Sequence, residues 1–345
     1  MTVTIQTKIR PPNKLDNPQV VTVNKIEIVI DVRFINKDHA VPHREFIVDI
    51  FANHYHGQKI RIETFDGENL EFSGFMNFVD YLVEIFNIPT TDVTIFTHHI
   101  NLSSKYKVEP LLLGIFEQTN NYLNPLKDYQ LDNPKFVGTC LGRFNPTRVR
   151  LVYELDKHFI NDSFVIFQSK IQRLPQAQGF REIYAKEFAH IESRQFDQDV
   201  EITNPTGAIG NWRSQSLMTY KNIWSKFQIE IVSETDAFSN WWFTEKTARC
   251  LATGKPFLLL AGTGSLAYLR KMGFETYNSI IDESYDLAKT PTERINKIVE
   301  CLVTLYQSAD KDQRIQDLNK IAQRNIEAYQ NYIYYANRGI IRHAD

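Results

Sequence analysis

The sequence predicts two α/β lobes, each built on a parallel sheet, and three observations carry that prediction. Strand-like and helix-like stretches alternate along most of the chain. The alternation is interrupted by "NPLKDYQLDNPK" (124–135), rich in Pro and Asx residues, and then restarts. At 345 residues the chain also exceeds what one ordinary hydrophobic core serves. Strands that alternate with helices pair in parallel through right-handed crossovers. With the boundary near Asp132, the lobes span 1–132 and 133–345, and two lobes imply a cleft.

Each element follows from local pattern. "KIEIVIDVRFI" (25–35) is dense in β-branched residues and reads as a strand; "NKDHAVPH" supplies polar and Pro punctuation, and "REFIVDIFANHY" reads as a helix. The strand "KIRIETFD", the helix "GFMNFVDYLVEIFNI", the strand "DVTIFTHH" and the helix "EPLLLGIFEQTNNYL" complete the first lobe. The second opens with the strand "FVGTCL", the loop "GRFNPTR", the helix "VRLVYELDKHF" and the strand "SFVIFQS". Residues 170–215 are irregular and polar, as a functional insertion would be. The helix "LMTYKNIWSK", the strand "FQIEIVSE", the aromatic loop "TDAFSNWWF" and the helix "TEKTARCLATG" follow. Then come the strand "KPFLLLAG", the helix "GSLAYLRKMG", a short strand "FETY" and two closing helices within 291–309 and 313–338. The last, at ~1.5 Å per residue, is long enough to cross back toward the first lobe.

Composition bounds the function. Hydrophobic residues at 43% and charged residues at 23% are those of an ordinary folded domain. A net charge of −2 gives no global drive toward nucleic acid or anionic membrane. Three widely spaced cysteines, Cys140, Cys250 and Cys301, fit neither a disulfide framework nor a zinc site and suggest a reducing compartment. The N-terminus lacks an apolar signal region and no run reaches the ~18 residues that span a bilayer. The expectation is a cytoplasmic protein without membrane insertion.

Two basic elements suggest an anion site. With Thr244 as N-cap, Glu245 and Lys246 fall in the first turn of a helix, where free N–H groups and the dipole favour an anion. A lysine there opposes the dipole, and a bound phosphate reconciles the two. Glu245 could accept hydrogen bonds from the vicinal hydroxyls of a ribose. "CLGRFNPTRVR" puts Arg143 and Arg148 in a loop between strand and helix, where ligands collect in open α/β sheets and where guanidinium groups clamp phosphate oxygens. "IGNWRSQ" adds Trp212 and Arg213, a stacking surface beside a cation.

The run "FQIEIVSETDAFSNWWFTEKTARCLATGKPFLLLAG" resembles the donor-binding motif of α1,3-fucosyltransferase-like glycosyltransferases. "GSLAYLRKMGFETYNSIIDESYD" is similar to the continuation found in phage and viral glycosyltransferases. The resemblance covers about residues 136–290. It implies two Rossmann-like lobes facing a cleft in the GT-B manner, a nucleotide-sugar donor on the C-terminal lobe, and inversion at the anomeric carbon without an obligatory metal. It further implies that Glu245 holds the ribose, that Lys246 and an arginine hold the diphosphate, and that Glu234 lies near the sugar or ribose. No cofactor is expected beyond the nucleotide sugar as co-substrate. The acceptor is a glycan or a hydroxymethylated pyrimidine in DNA. A non-catalytic nucleotide-sugar or carbohydrate-binding protein is the competing expectation.

Transfer needs a base for the acceptor hydroxyl. Loops at the carboxyl ends of first-lobe strands offer Asp38, His39 and His43, then His98 and His99, and Glu117; Asp38 or His39 is the first choice. Weaker signals are the Gly-x-Gly turn "AGTGS" (261–265), the Asp-x-Asp spacing of Asp197 and Asp199, and the acidic "IDESYD" (281–286). No metal ligand is assigned.

Overall fold

The computed structural model describes residues 3–7, 19–23, 27–32, 40–64, 75–97, 104–110, 130–141, 146–167, 183–193, 223–234 and 243–336. The protein is α/β with parallel strands in both of its sheets. It divides into two compact units, the first ending at Gly114 and the second beginning at Ile115. Asp132, where the sequence suggested the boundary, is tied to the second unit. Its N–H donates to Ser225 O at 3.0 Å and its carboxylate pairs with Lys226 at 2.8 Å.

In the first unit, strands β1 (Val3–Thr7), β2 (Gln19–Val23), β3 (Glu27–Val32), β4 (Lys59–Thr64), β5 (Val93–Thr97) and β6 (Lys107–Pro110) lie side by side in chain order. β1 and β2 pair antiparallel with each other, and β2 pairs antiparallel with β3; β3 to β6 are parallel. Helices α1 (Ala40–His54) and α2 (Phe75–Ile85) connect β3 to β4 and β4 to β5. Strands in sequential order joined by right-handed crossovers put both helices on one face. Burial agrees with this. Ile28, Ile60 and Val93 form one row across the sheet, Ile30, Ile62 and Ile95 the next, and these pack with Ile47, Ile50 and Phe51 of α1 and Phe78, Val79 and Leu82 of α2. The alternate residues Arg61, Thr94 and Lys107 are polar and line up in register on the other face. β1, β2 and β6 are not among the elements the sequence suggested, and Glu109 and Pro110, expected to open a helix, end β6.

The second unit's sheet runs β8 (Ser163–Phe167), β7 (Lys135–Leu141), β9 (Phe227–Ser233), β10 (Phe257–Leu260), all parallel. From β7 the chain moves outward to β8, then returns to place β9 on β7's other side and continues to β10. That reversal makes the sheet doubly wound, with a switch point between the carboxyl ends of β7 and β9. Its strands read as near-continuous apolar runs because both faces are covered. α3 (Pro146–Phe159) and α7 (Pro291–Gln307) pack together, as do α5 (Glu245–Thr253) and α8 (Lys311–Ala336). Gly138 of β7 lies against the Phe227 ring, where a Cβ would come within 2.2 Å of ring carbon. Only glycine lets that ring lie flat on the sheet.

Two further expectations change. Within the stretch read as irregular, Ala185–Ser193 forms a helix, α4, which docks on α3 through Arg150–Glu187 at 2.5 Å and His190–Asp156 at 2.7 Å. "FETY" is no strand. After α6 (Ser265–Lys271) the chain turns at Gly273, with φ +91°. The N–H groups beyond it go to Leu269 O, the Asn325 side chain and the Glu283 carboxylate. With these donors taken by a helix-end carbonyl and two side chains, none of them is left for a ladder. Among the described residues, no helix is long and apolar enough to cross a membrane.

Candidate functional site at the carboxyl end of β9

β9 ends at the switch point, and two of the predicted cations reach its last residues. Arg148 is not in a loop. Pro146, whose missing N–H suits a first helical position, starts α3, and Arg148 is its third residue. Its guanidinium is buried and donates from Nη2 to Ser233 O at 3.1 Å and Glu234 O at 3.4 Å, and from Nε to Ser233 Oγ at 3.4 Å. Arg148 therefore braces the strand end from the β7 side. Beside it Thr147 is also buried, and its Oγ1 has no hydrogen-bond partner among the described residues.

From the other side comes the start of α5. Thr244 is extended, with φ −112°, and caps the helix by accepting from Lys246 N at 3.3 Å. Gly254 closes it in the left-handed region, with φ 67°. Between these caps every residue except Glu245 is buried. Glu234, fully buried just past β9, accepts from Thr244 N at 2.9 Å, Thr244 Oγ1 at 2.5 Å and Thr247 Oγ1 at 2.6 Å. Both carboxylate oxygens are thus engaged with the first turn of α5.

Lys246 and Glu245 form the outer layer. The Lys246 ammonium donates to Thr244 Oγ1 and to Glu245 Oε1, both at 3.0 Å, and lies 3.9 Å from Glu234 Oε2. Loss of solvent pushes the Glu245 carboxyl up, but the adjacent ammonium, aided by Arg249, more than offsets this and holds it below its ordinary value. The Glu245 side chain is 41% exposed and that of Lys246 11%. Two cations, Arg148 and Lys246, thus stand against two carboxylates, Glu234 and Glu245.

A second polar layer lies beneath. Glu230, on the same face of β9 as Glu234, is fully buried and pairs with Arg249 of α5; Cys250 Sγ donates to its other oxygen at 3.1 Å. The Arg249 guanidinium lies over the Trp224 ring, and Trp224 Nε1 donates to Thr253 Oγ1 at 3.0 Å. Lys255, fully buried after α5, donates to Trp224 O at 2.8 Å and Phe227 O at 2.5 Å, and burial pulls its amine down to about 7. Sequence reasoning singled out none of Thr147, Glu230, Ser233, Thr247, Arg249 or Lys255. The signal for Glu230 was available: a carboxylate inside an apolar strand demands a buried partner.

The weaker motifs are engaged within the protein. Gly264 of "AGTGS" caps α6 in the left-handed region, and Asp286 Oδ2 accepts from Leu266 N and Ala267 N. Asp282 caps its own turn through Ser284 N, while Glu283 takes Arg270, Thr276 and Tyr277 N. His43 falls within α1. Asp38, His39, His98, His99, Glu117, Arg143, Asp197, Asp199, Trp212, Arg213, Trp241 and Trp242 lie outside the described residues. Among the described residues, no group of three or more His, Cys, Asp or Glu side chains could hold a metal ion. Comparison with protein-family models and with curated proteins finds no match.

Proposed function

We propose that the protein is a glycosyltransferase of the two-lobed, GT-B-like kind, which binds a nucleotide-sugar donor at the carboxyl end of β9 and transfers the sugar to an acceptor hydroxyl. The observation that supports this reading is the Lys246–Glu245 pair at the mouth of a doubly wound sheet's switch point, set on buried polar supports. A diphosphate and a ribose would split that pair. The ammonium turns to the phosphate oxygens, and the carboxylate, released, accepts from the two ribose hydroxyls.

The leaving diphosphate carries more negative charge than one lysine offsets, and Arg143 and Arg213 are the further cations this reading assigns to it. Arg148, bonded to backbone carbonyls, shapes the strand end, and the buried Thr147 hydroxyl beside it is a donor without a protein acceptor among the described residues. Asp38, His39, His98 and Glu117 remain the proposed sources of the base.

Thermal denaturation in the presence of nucleoside diphosphates and their sugar conjugates tests the reading. A ligand at 100 times its Kd adds about 2.7 kcal/mol of stability. The binding partner should stabilise the wild type and not Lys246→Ala, and slow donor hydrolysis by the wild type separates an enzyme from a binding protein. No stabilisation by any of these ligands would remove the donor site.

A further inference from the structure

An ordinary helix N-terminus invites an anion because its first N–H groups lack partners. At α5 the protein supplies the anion itself. Glu234 belongs to the strand, not the helix, yet its carboxylate takes the Thr244 N–H and two side-chain hydroxyls one turn apart, Thr244 and Thr247. The hydroxyl it receives from Thr244 is the same oxygen that accepts from Lys246 N and from the Lys246 ammonium. A continuous chain therefore runs from the buried carboxylate through one threonine oxygen to the outermost cation.

We infer that Glu234 is a positioning residue: it fixes the first turn of α5 to the end of β9 and thereby sets where the Lys246 ammonium stands. The buried charge gives that turn one orientation. With Thr244 Oγ1 donating to Glu234, its lone pairs point toward Lys246, so the ammonium has a fixed acceptor on one side and Glu245 on the other. Both Glu234 oxygens are occupied and the residue is fully buried, so it acts on a ligand through Lys246 and not by touching it.

The local geometry is testable without any ligand, whereas the effect on a diphosphate rests on the donor-site reading above. The full chain is labelled with ¹³Cε,¹⁵Nζ-lysine, which leaves all three ammonium N–H donors in place, and the side-chain resonance of Lys246 is assigned by its loss in Lys246→Arg. Glu234→Gln and the milder Thr247→Val should each move that resonance into the envelope of exposed lysines while other lysines keep theirs. Thr247→Ser, which restores the hydroxyl, should return it. A general loss of structure would shift all lysines together. For whichever nucleoside diphosphate stabilises the wild type, Glu234→Gln should weaken binding on the order of tenfold to a hundredfold. An unmoved Lys246 resonance in folded Glu234→Gln or Thr247→Val overturns the inference. A moved resonance with no nucleoside diphosphate bound by the wild type upholds it and removes the donor reading alone.

Discussion

Glu230 and Arg249 raise the residue-scale question of what a fully buried ion pair contributes. Desolvating two charges costs several kcal/mol, and their attraction roughly returns it, so the pair is weak evidence of net stabilisation. Removing one partner is a different matter. Glu230→Gln would leave the guanidinium, which lies over the Trp224 ring, buried against a neutral amide, and would take the carboxylate from Cys250 Sγ as well. We expect a loss of about 3–5 kcal/mol in urea denaturation for Glu230→Gln. The double variant Glu230→Leu with Arg249→Met should recover most of it. The pair's use would then be orientation: with Glu234, it makes one face of β9 readable by only one register of α5. Equal stability of the single and double variants would assign the pair a stabilising role instead.

At the scale of elements, glycines test how tightly α5 and the sheet are held. Gly254 sits at φ 67°, and a Cβ there would meet Gln323 Nε2 at 2.7 Å and Ile326 Cδ1 at 2.8 Å, both ends of flexible side chains on α8. Gly254→Ala should cost about 1–2 kcal/mol, the ordinary left-handed penalty, since those ends can move. Gly138→Ala should cost more, about 3 kcal/mol or above, because the Phe227 ring it strikes is itself stacked on Phe164 in the core. Chemical denaturation of the two variants ranks them, and the reverse order would mean that the ring can relocate. The same local logic explains what the sequence made legible. β3, β4, β5, β7, β8 and β9 announced themselves by β-branched and aromatic content, β10 by an unbroken apolar run, and α5 by Thr244 at one end and Gly254 at the other. The I-x-I alternation of "IEIVID" and "KIRIET" carries a further cue that the sequence reading did not use, a sheet with one apolar face, which the rows Ile28–Ile60–Val93 and Ile30–Ile62–Ile95 display. β1 (VTIQT) and β2 (QVVTV) carry the same β-branched signal as these strands, so their omission was a missed local cue, whereas β6 is four residues ending in Pro and offered little. α4 hid because it docks partly through ion pairs, which leave no broad apolar stripe. "FETY" misled because both backbone groups of Glu275 are claimed by the Asn325 side chain, 50 residues away, a contact no local window contains. In the candidate site, the cap and first turn were legible; Arg148's bracing role was not, since it depends on β7 and β9 being neighbours.

For the molecule as a whole, the buried titratable groups of the second unit set how stability depends on pH. Burial pulls the Lys255 amine down to about 7, against the opposing pull of Glu230 and the thiols of Cys250 and Cys140, whereas an unfolded lysine titrates near ~10.4. Between about 7 and 10 the unfolded chain therefore holds a proton that the folded chain lacks, and stability rises with pH by up to about 1.4 kcal/mol per unit. The thiols act in the opposite sense. Burial pushes Cys140 and Cys301 up to about 12 and raises Cys250 well above its ordinary value, so above ~8.5 the unfolded chain loses thiol protons that the folded chain keeps. Three thiols outweigh one amine before they are half titrated, and stability should climb from pH 7, pass a maximum near pH ~8 and fall beyond it. Urea denaturation under reductant at pH 7, 8, 9 and 10 traces that curve. Lys255→Met lowers its level by leaving the carbonyls of Trp224 and Phe227 without their donor, but its diagnostic effect is on slope: the rise from pH 7 disappears and the alkaline fall remains. A wild-type curve that declines steadily from pH 7 would mean that the amine stays charged in the fold, with Glu230 neutralising both it and Arg249.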